Sequence, residues 1–381
     1  MTLSGRHYKT GEGISVSLKN GTIAAIKKGS GETFIGPGLV DLQINGFRGL
    51  DFNTLPVAED LPGRVTRELW SEGVTSYYAT VITNSTDAIE ACVRAIARAC
   101  ELDADAAAGI AGIHLEGPFI SGEDGPRGAH DRRFVCPPEW KKFDRWQRAA
   151  GGRIRLITLS PEYKQAIPFI RKCVTAGVTA SIGHTAATPE QIREATAAGA
   201  SMSTHLGNGC HLLMPRHPNY VWEQLAQDAL AACIIADGFH LPDAVIKSVM
   251  RVKGPNAILA SDAVYLSGLK PGPYRTHIGG KVVLTKDGKL HLASNPKLLA
   301  GSVQMLIRSV EHLLRAGLTD PGEAWEMAST RPALAMRLPA GRGLVPGAPA
   351  DLAVFTRTRD KITLLETWKS GRKVHERARH G

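Results

Sequence analysis

Between Leu39 and Asp262 the chain alternates short apolar runs with segments of helical periodicity, and this alternation restricts the fold more than any other feature. The runs are LVDLQIN (39–45), VTSYYAT (74–80), GIAGIHLE (109–116), IRLITLS (154–160), VTASIGH (178–184), ASMSTH (200–205), ACIIAD (232–237) and AILASD (257–262). Most are followed by a segment with helical spacing, such as KQAIPFIRKCVTAG or PEQIREATAAGA. A strand, a crossover helix and a parallel strand form the unit that this rhythm describes. Eight such units make a (β/α)8 TIM-type barrel, expected here over residues 38–340. The 381 residues leave room for an appendage beside it.

Both chain ends have a different character. ISVSLKNGTIAAIKKG holds two alternating runs joined by Asn20 and Gly21, a strong hairpin signal. GRGLVPGAPADLAVF and ITLLETWKSGRKVHE near the other end are again short β-like runs broken by Gly and Pro. An isolated hairpin is marginal in water, so residues 1–37 and 341–381 are expected to pair into one small β-sandwich.

The composition, 43% hydrophobic and 22% charged, is that of a soluble globular protein. No apolar run reaches the length of a membrane span and the first residues lack the apolar core of a secretion signal, so the cytoplasm is the expected location. The six cysteines show no CxxC pair, which favours free thiols over disulfides. The formal charge of +10 raises the question of nucleic acid. Its basic residues are scattered, in KKG at Lys27, KK at Lys141 and RKVHERARH near the end, without interleaved aromatics. A solvated surface fits better, and its positive field would also draw in a phosphorylated small molecule.

Four runs end in residues that carry chemistry: Glu116, His184, His205 and Asp262. Asp237 closes a fifth. Alone, Glu116 reads equally well as a helix cap or a lysine partner, and each histidine as a hydrogen-bonded core residue. Together they fall at the carboxyl ends of barrel strands, where this fold builds its site. One Glu, two His and one Asp are oxygen and nitrogen donors of the kind a divalent zinc or iron accepts. An ion so held activates water and polarises a carbonyl, while a neighbouring carboxylate moves the proton, a task suited to Asp262.

PGLVDLQINGFRGLDFN, HLEGPFIS with GAH after it, SIGHT, THLGNG, IIADGFH, LASDA and LLAGS resemble, in order and spacing, the N-acetylglucosamine-6-phosphate deacetylases of the amidohydrolase superfamily. The resemblance runs from about Gly36 to Phe355. It implies the barrel with a β-sandwich from both ends, and usually a homodimer. It places the metal ligands on Glu116, His184 and His205 and the catalytic acid/base on Asp262. His130, after Ala129 in GAH, matches the residue that polarises the acetyl carbonyl. His240, in the ADGFH segment with Asp237, matches a sugar contact. Asn208 and Gly209 match a loop whose amides meet phosphate, and Arg216 an arginine that grips phosphate from the neighbouring subunit. Leu299, Ala300 and Gly301 match a loop closing over the substrate. Many amidohydrolases carry HxH on the first strand and bind a second metal there. Gln43 and Asn45 stand in its place, so one ion per subunit is expected, zinc or iron, with these amides supporting the site.

One stretch departs from the family. Its usual aromatic-Asn-Ala-Met is replaced by GNGCHLLMPRHPNYVWEQLA, which puts Gly207, Gly209, His211, His217 and Trp222 where substrate recognition is expected. The leading expectation is hydrolysis of N-acetylglucosamine 6-phosphate to acetate and the free amine. N-acetylgalactosamine 6-phosphate or another N-acyl compound is the alternative within the same chemistry, and a non-catalytic sugar-phosphate sensor is the alternative outside it.

Overall fold

The structure, a computed structural model, describes residues 1–276 and 280–378. Every expected run forms a barrel strand: β1 Leu39–Ile44, β2 Val74–Ile82, β3 Ile110–Glu116, β4 Ile154–Leu159, β5 Thr179–Ile182, β6 Met202–Ser203, β7 Ala231–Ile234 and β8 Ala257–Leu259. They pair in chain order as one eight-stranded sheet, every ladder parallel. The (β/α)8 architecture is therefore present. Each strand stops at the end of its run or within three residues before it, except that β2 runs two residues past Thr80 to Ile82.

The seam between β1 and β8 closes by other means than a ladder. Ile44 forms a single parallel bridge with Ala263. The Asn45 and Gly46 N–H groups both donate to Ala263 O, at 2.8 and 3.2 Å. Below them the buried Asp41 carboxylate accepts from Ser261 N at 3.2 Å, and Ser261 Oγ donates to Gln43 O at 3.4 Å. These contacts bring the segments that carry Gln43, Asn45 and Asp262 to one place.

Alternate strand residues fill the barrel lumen. Val40, Leu42, Tyr78, Leu156, Met202, Cys233 and Ile258 form a buried cluster capped by Ala333 and Met336. A hydrogen-bonded polar layer also crosses the barrel. His114 Nδ1 donates to Leu42 O at 3.1 Å, so its Nε2 accepts from Thr158 Oγ1 at 2.7 Å. Thr204 Oγ1 lies 2.6 Å from both Thr158 Oγ1 and Ser181 Oγ, extending the chain. Burial pushes the His114 imidazole down to about 4, which keeps it neutral in this role. It ties β3 to β1 and β4 as a structural support.

The helices follow local rules. Ser85 accepts from Ala88 N and opens Thr86–Leu102. Thr188 and Gln191 form a reciprocal capping box at the start of Pro189–Ala197. Among the described residues no helix is long and apolar enough to cross a membrane. All six cysteines are free, four of them buried.

The chain ends share one seven-stranded sheet in the order Arg372–Glu376, Ile362–Lys369, Leu352–Arg357, Phe34–Pro37, Thr2–His7, Gly13–Lys19, Thr22–Lys28. Asn20 and Gly21 make the expected hairpin turn, both at positive φ. The sheet curls on itself: Ile23 exchanges backbone hydrogen bonds with the segment at Gly347 and Ala348, and Gly371 N donates to Ala350 O at 2.9 Å. The basic tract RKVHERARH begins on the edge strand, where Arg372 and Lys373 pair with Asp105 and Glu366 at 2.6 and 3.0 Å. Its last two residues, Arg379 and His380, lie outside the described residues.

Nothing in the hydrophobic pattern marks the next element. Gly272–Thr276, Gly280–Leu284, Leu290–Leu292 and Asn295–Leu299 form a separate four-stranded antiparallel sheet between β8 and the closing helices. It packs through Leu266, Val282, Leu284, Leu290 and Val303.

Trp325 joins barrel to end sheet. Its Nε1 donates to Pro37 O at 2.9 Å, and its ring stacks on Phe355 at 4.2 Å between centroids. Gly36 has no room for a side chain, since a Cβ there would sit 2.7 Å from Trp325 Nε1. Trp325→Ala is expected to lower the stability measured by urea unfolding by about 3–5 kcal/mol, the range for emptying a fully buried aromatic site.

Candidate metal and catalytic site

Glu116 is the last residue of β3. His184 and His205 follow β5 and β6 by two residues, and Asp262 follows β8 by three. At each of these last three positions the backbone turns off the strand direction with positive φ: +49° at His184, +29° at His205 and +50° at Asp262. Left-handed backbone at non-glycine residues costs about 1–3 kcal/mol each and clusters at functional sites.

The turn aims the side chains at one another. His205 Nε2 lies 3.1 Å from Glu116 Oε1 and 3.0 Å from His184 Nε2, and His184 Nε2 lies 3.3 Å from Glu116 Oε1. His184 Nδ1 donates to Pro126 O at 2.7 Å, which leaves its Nε2 as a lone pair when neutral. An acceptor nitrogen, a second imidazole nitrogen and a carboxylate oxygen so placed repel unless a cation or a proton lies between them. Donors about 2.0–2.1 Å from a tetrahedral ion stand about 3.3 Å apart, close to this triangle. The residues fit a divalent metal. His130 Nε2 is a further neighbour, 3.3 Å from His184 Nε2 and 4.0 Å from Glu116 Oε2. Glu116, His130 and His184 present donor atoms all within 4.8 Å of one another.

Electrostatics separate the two acids. Burial alone would raise Glu116, but the His184 and His205 imidazoles beside it outweigh that and hold the carboxyl well below the usual range. Burial, and then the charge on Glu116, push Asp262 above its ordinary value. Burial, reinforced by His184, pushes the His130 imidazole down to about 3. It is neutral, with Nδ1 2.9 Å from Thr83 Oγ1.

Two amides support these carboxylates, Gln43 in β1 and Asn45 just past its end. Gln43 Nε2 donates to Glu116 Oε1 at 2.7 Å, and Asn45 Nδ2 donates to Asp262 Oδ1 at 2.8 Å. The cavity above has a volume of about 250 Å3. Its wall includes Asn45, Ala129, His130, Asn208, Gly209, His240, Leu299, Ala300 and Gly301 together with Glu116, His184, His205 and Asp262. Two expected wall residues stand elsewhere. Asp237 lies behind His240: it accepts from His240 Nδ1 at 2.7 Å and from the Phe239 and His240 N–H groups, so it orients the imidazole. Arg216 is exposed on the segment 211–218 and does not line the cavity of its own chain.

The pattern of residues left several participants unmarked. Thr83 lies just past the true end of β2, and reading that strand through Ile82 would have placed it beside the site. Asp51, Asn53, Tyr265, Thr276 and Leu290 also line the cavity, the last two from the four-stranded sheet.

Two glycine-bearing loops crowd His184. A Cβ at Gly209, where φ is +59°, would sit 2.8 Å from His184 Nδ1. Gly209→Ala is therefore expected to displace that ring and reduce the bound metal measured by elemental analysis. Gly177→Ala, at φ +72° but in open space, should leave the metal content unchanged.

The amidohydrolase family model matches residues 34–376. An N-acetylglucosamine-6-phosphate deacetylase of Lysinibacillus sphaericus is 30% identical over 376 residues, covering 95% of this chain and 93% of its own length. One from Bacillus subtilis (strain 168) is 35% identical over 285 residues, 73% and 69% of the two chains. Among solved structures, a mutant N-acetyl-D-glucosamine-6-phosphate deacetylase from Mycobacterium smegmatis, in complex with N-acetyl-D-glucosamine-6-phosphate, superposes with a TM-score of 0.86 at 26% identity, covering 98% and 99% of the chains. A barrel with imidazole and carboxylate donors at its strand ends, found in a chain with these relatives, belongs to the amidohydrolase family and, within it, to the N-acetylglucosamine-6-phosphate deacetylases.

Proposed function

We propose that the protein removes the acetyl group from N-acetylglucosamine 6-phosphate, giving glucosamine 6-phosphate and acetate, with one divalent ion per subunit. The observation that carries this reading is the convergence of Glu116, His184 and His205 on one point with Asp262 beside it. A zinc or iron ion held by those three residues would supply Lewis acidity to the acetyl carbonyl and to water. The donor set suits both metals, and zinc is the expected one.

The protein residues divide the remaining work. Gln43 fixes the Glu116 carboxylate and Asn45 fixes Asp262. Asp262 takes the proton from the attacking water and returns it to the departing nitrogen, and its raised affinity for a proton suits both halves of that task. When Thr83 donates to His130 Nδ1, the proton sits on Nε2, beside the Glu116 and His184 donors, and stabilises the oxyanion that forms on the acetyl oxygen. His240, oriented by Asp237, meets the sugar. Leu299, Ala300 and Gly301 close the cavity over it.

The phosphate is met by the Asn208–Gly209 loop and by Arg216 from a second copy of the chain. Among the described residues, no arginine or lysine lines the cavity. A dianion bound there needs a cation from outside, and Arg216 shares its exposed segment with Leu212 and Leu213, 84% and 92% exposed. A homodimer working in the cytoplasm is consistent with these apolar side chains and with the free thiols.

Asp262→Asn is expected to lower kcat by about 10³-fold, within the range for loss of a general acid/base, with metal content intact. Acetate release from a panel of N-acetyl sugars checks the substrate. A preference for N-acetylgalactosamine 6-phosphate or for an unphosphorylated sugar would overturn the assigned substrate while leaving the hydrolytic chemistry in place. Activity surviving in Asp262→Asn would overturn the mechanism.

A further inference from the structure

The segment that departs from the family, 207–222, is fastened to the loop 121–130 by a set of contacts that no part of the reaction above requires. His211 N donates to Tyr220 Oη at 2.8 Å, and His211 Nδ1 lies 2.9 Å from the same oxygen. The Tyr220 hydroxyl thus accepts from the backbone and donates to Nδ1. That leaves the His211 proton on Nε2, which lies 2.9 Å from Glu123 Oε2. Tyr220 is buried at the start of the helix Tyr220–Ala226, whose first turn is capped by the Asn219 side chain. The backbones meet as well: a Cβ at Gly125 would lie 3.0 Å from Cys210 O and from His211 Cα.

Both fastened loops bear on His184. From one, Pro126 O accepts the His184 Nδ1 proton, and Gly128 leaves 3.2 Å between a notional Cβ and His184 Cε1. From the other, a Cβ at Gly209 would sit 2.8 Å from Nδ1 and 3.0 Å from Cε1 of the same ring. The first loop also carries His130, whose carbonyl accepts from Arg127 Nη1 at 2.7 Å, while Arg127 pairs with Asp124. The imidazole of His184 is therefore in contact with two loops that Glu123, His211 and Tyr220 join to each other.

We propose that Glu123, His211 and Tyr220 form a clasp that positions His184 by holding these two loops together, so that metal retention depends on residues at the surface of the site. This rests on the reading of His184 as a metal ligand. An exposed ion pair alone contributes little to stability. Here the histidine is pinned on its other side by a buried tyrosine, so the contact transmits position. The three residues are positioning residues, since none touches the metal donors or lines the substrate cavity.

The test uses the full-length, metal-loaded protein. Glu123→Ala removes an exposed side chain, and His211→Ala removes the link on the other loop. Each is expected to speed metal loss to excess EDTA about tenfold, as removal of supporting contacts around metal ligands does. Circular dichroism should be unchanged, and the double variant should lose metal no faster than the worse single one. His211→Gln, which keeps a donor near Glu123, should recover part of the loss. At saturating metal, kcat for N-acetylglucosamine 6-phosphate should return towards that of the parent while KM stays raised, because His130 and Asn208 sit on the loosened loops. Metal loss at the parental rate with unchanged KM in both single variants would overturn the clasp. A parental protein that holds no divalent ion would instead overturn the reading of His184 as a ligand, and the clasp with it.

Discussion

Holding Glu116 Oε1, His184 Nε2 and His205 Nε2 within 3.0–3.3 Å of one another costs free energy twice over. A carboxylate is removed from water, and electron-rich atoms face each other. The backbone adds to the cost with three left-handed residues, His184, His205 and Asp262. Such an arrangement persists only where its surroundings leave the side chains no alternative. The barrel provides that: each donor is anchored at the end of a separate strand, and the strands are locked by a packed lumen and a hydrogen-bonded polar layer beneath.

The supporting contacts come in tiers. Gln43, Asn45, Thr83 and Pro126 touch the donors or the acids directly. Asp237 fixes His240 at one remove. Further out, the four-stranded sheet brings Thr276 and Leu290 to the cavity wall from a part of the chain unrelated to the strand-helix rhythm. Chemistry is thus assigned to the rigid strand ends. Recognition is assigned to segments that can vary without disturbing the barrel.

Much of this was legible in the residue pattern, for identifiable reasons. A buried parallel strand must be apolar and must end where the chain meets solvent or a site, so LVDLQIN, GIAGIHLE and AILASD announced both their strands and the polar ends that converge on the cavity. The turn at Asn20 and Gly21 was legible because few residue pairs accept two consecutive positive φ values. The sheet of 272–299 was not, because its strands are three to five residues long and largely exposed, without sustained alternation. The pairing of Glu123 with His211 was illegible for another reason: it joins residues 88 positions apart whose types suit many surface contacts. Asp237 stands behind the cavity wall, because no sequence signal separates a wall residue from the one that braces it.

The end sheet has a consequence for how the molecule comes into being. Phe34–Pro37 lies between Thr2–His7 and Leu352–Arg357, so its second partner is separated from it by more than three hundred residues of barrel. A nascent chain emerges with its first hairpin ready and one flank of that strand bare throughout synthesis of the barrel. Pairings of such long range form late. Trp325, stacked on Phe355 and bonded to Pro37, bridges the last helices and both halves of the sheet. One tryptophan thus holds together strands of the end sheet that come from the two ends of the barrel sequence.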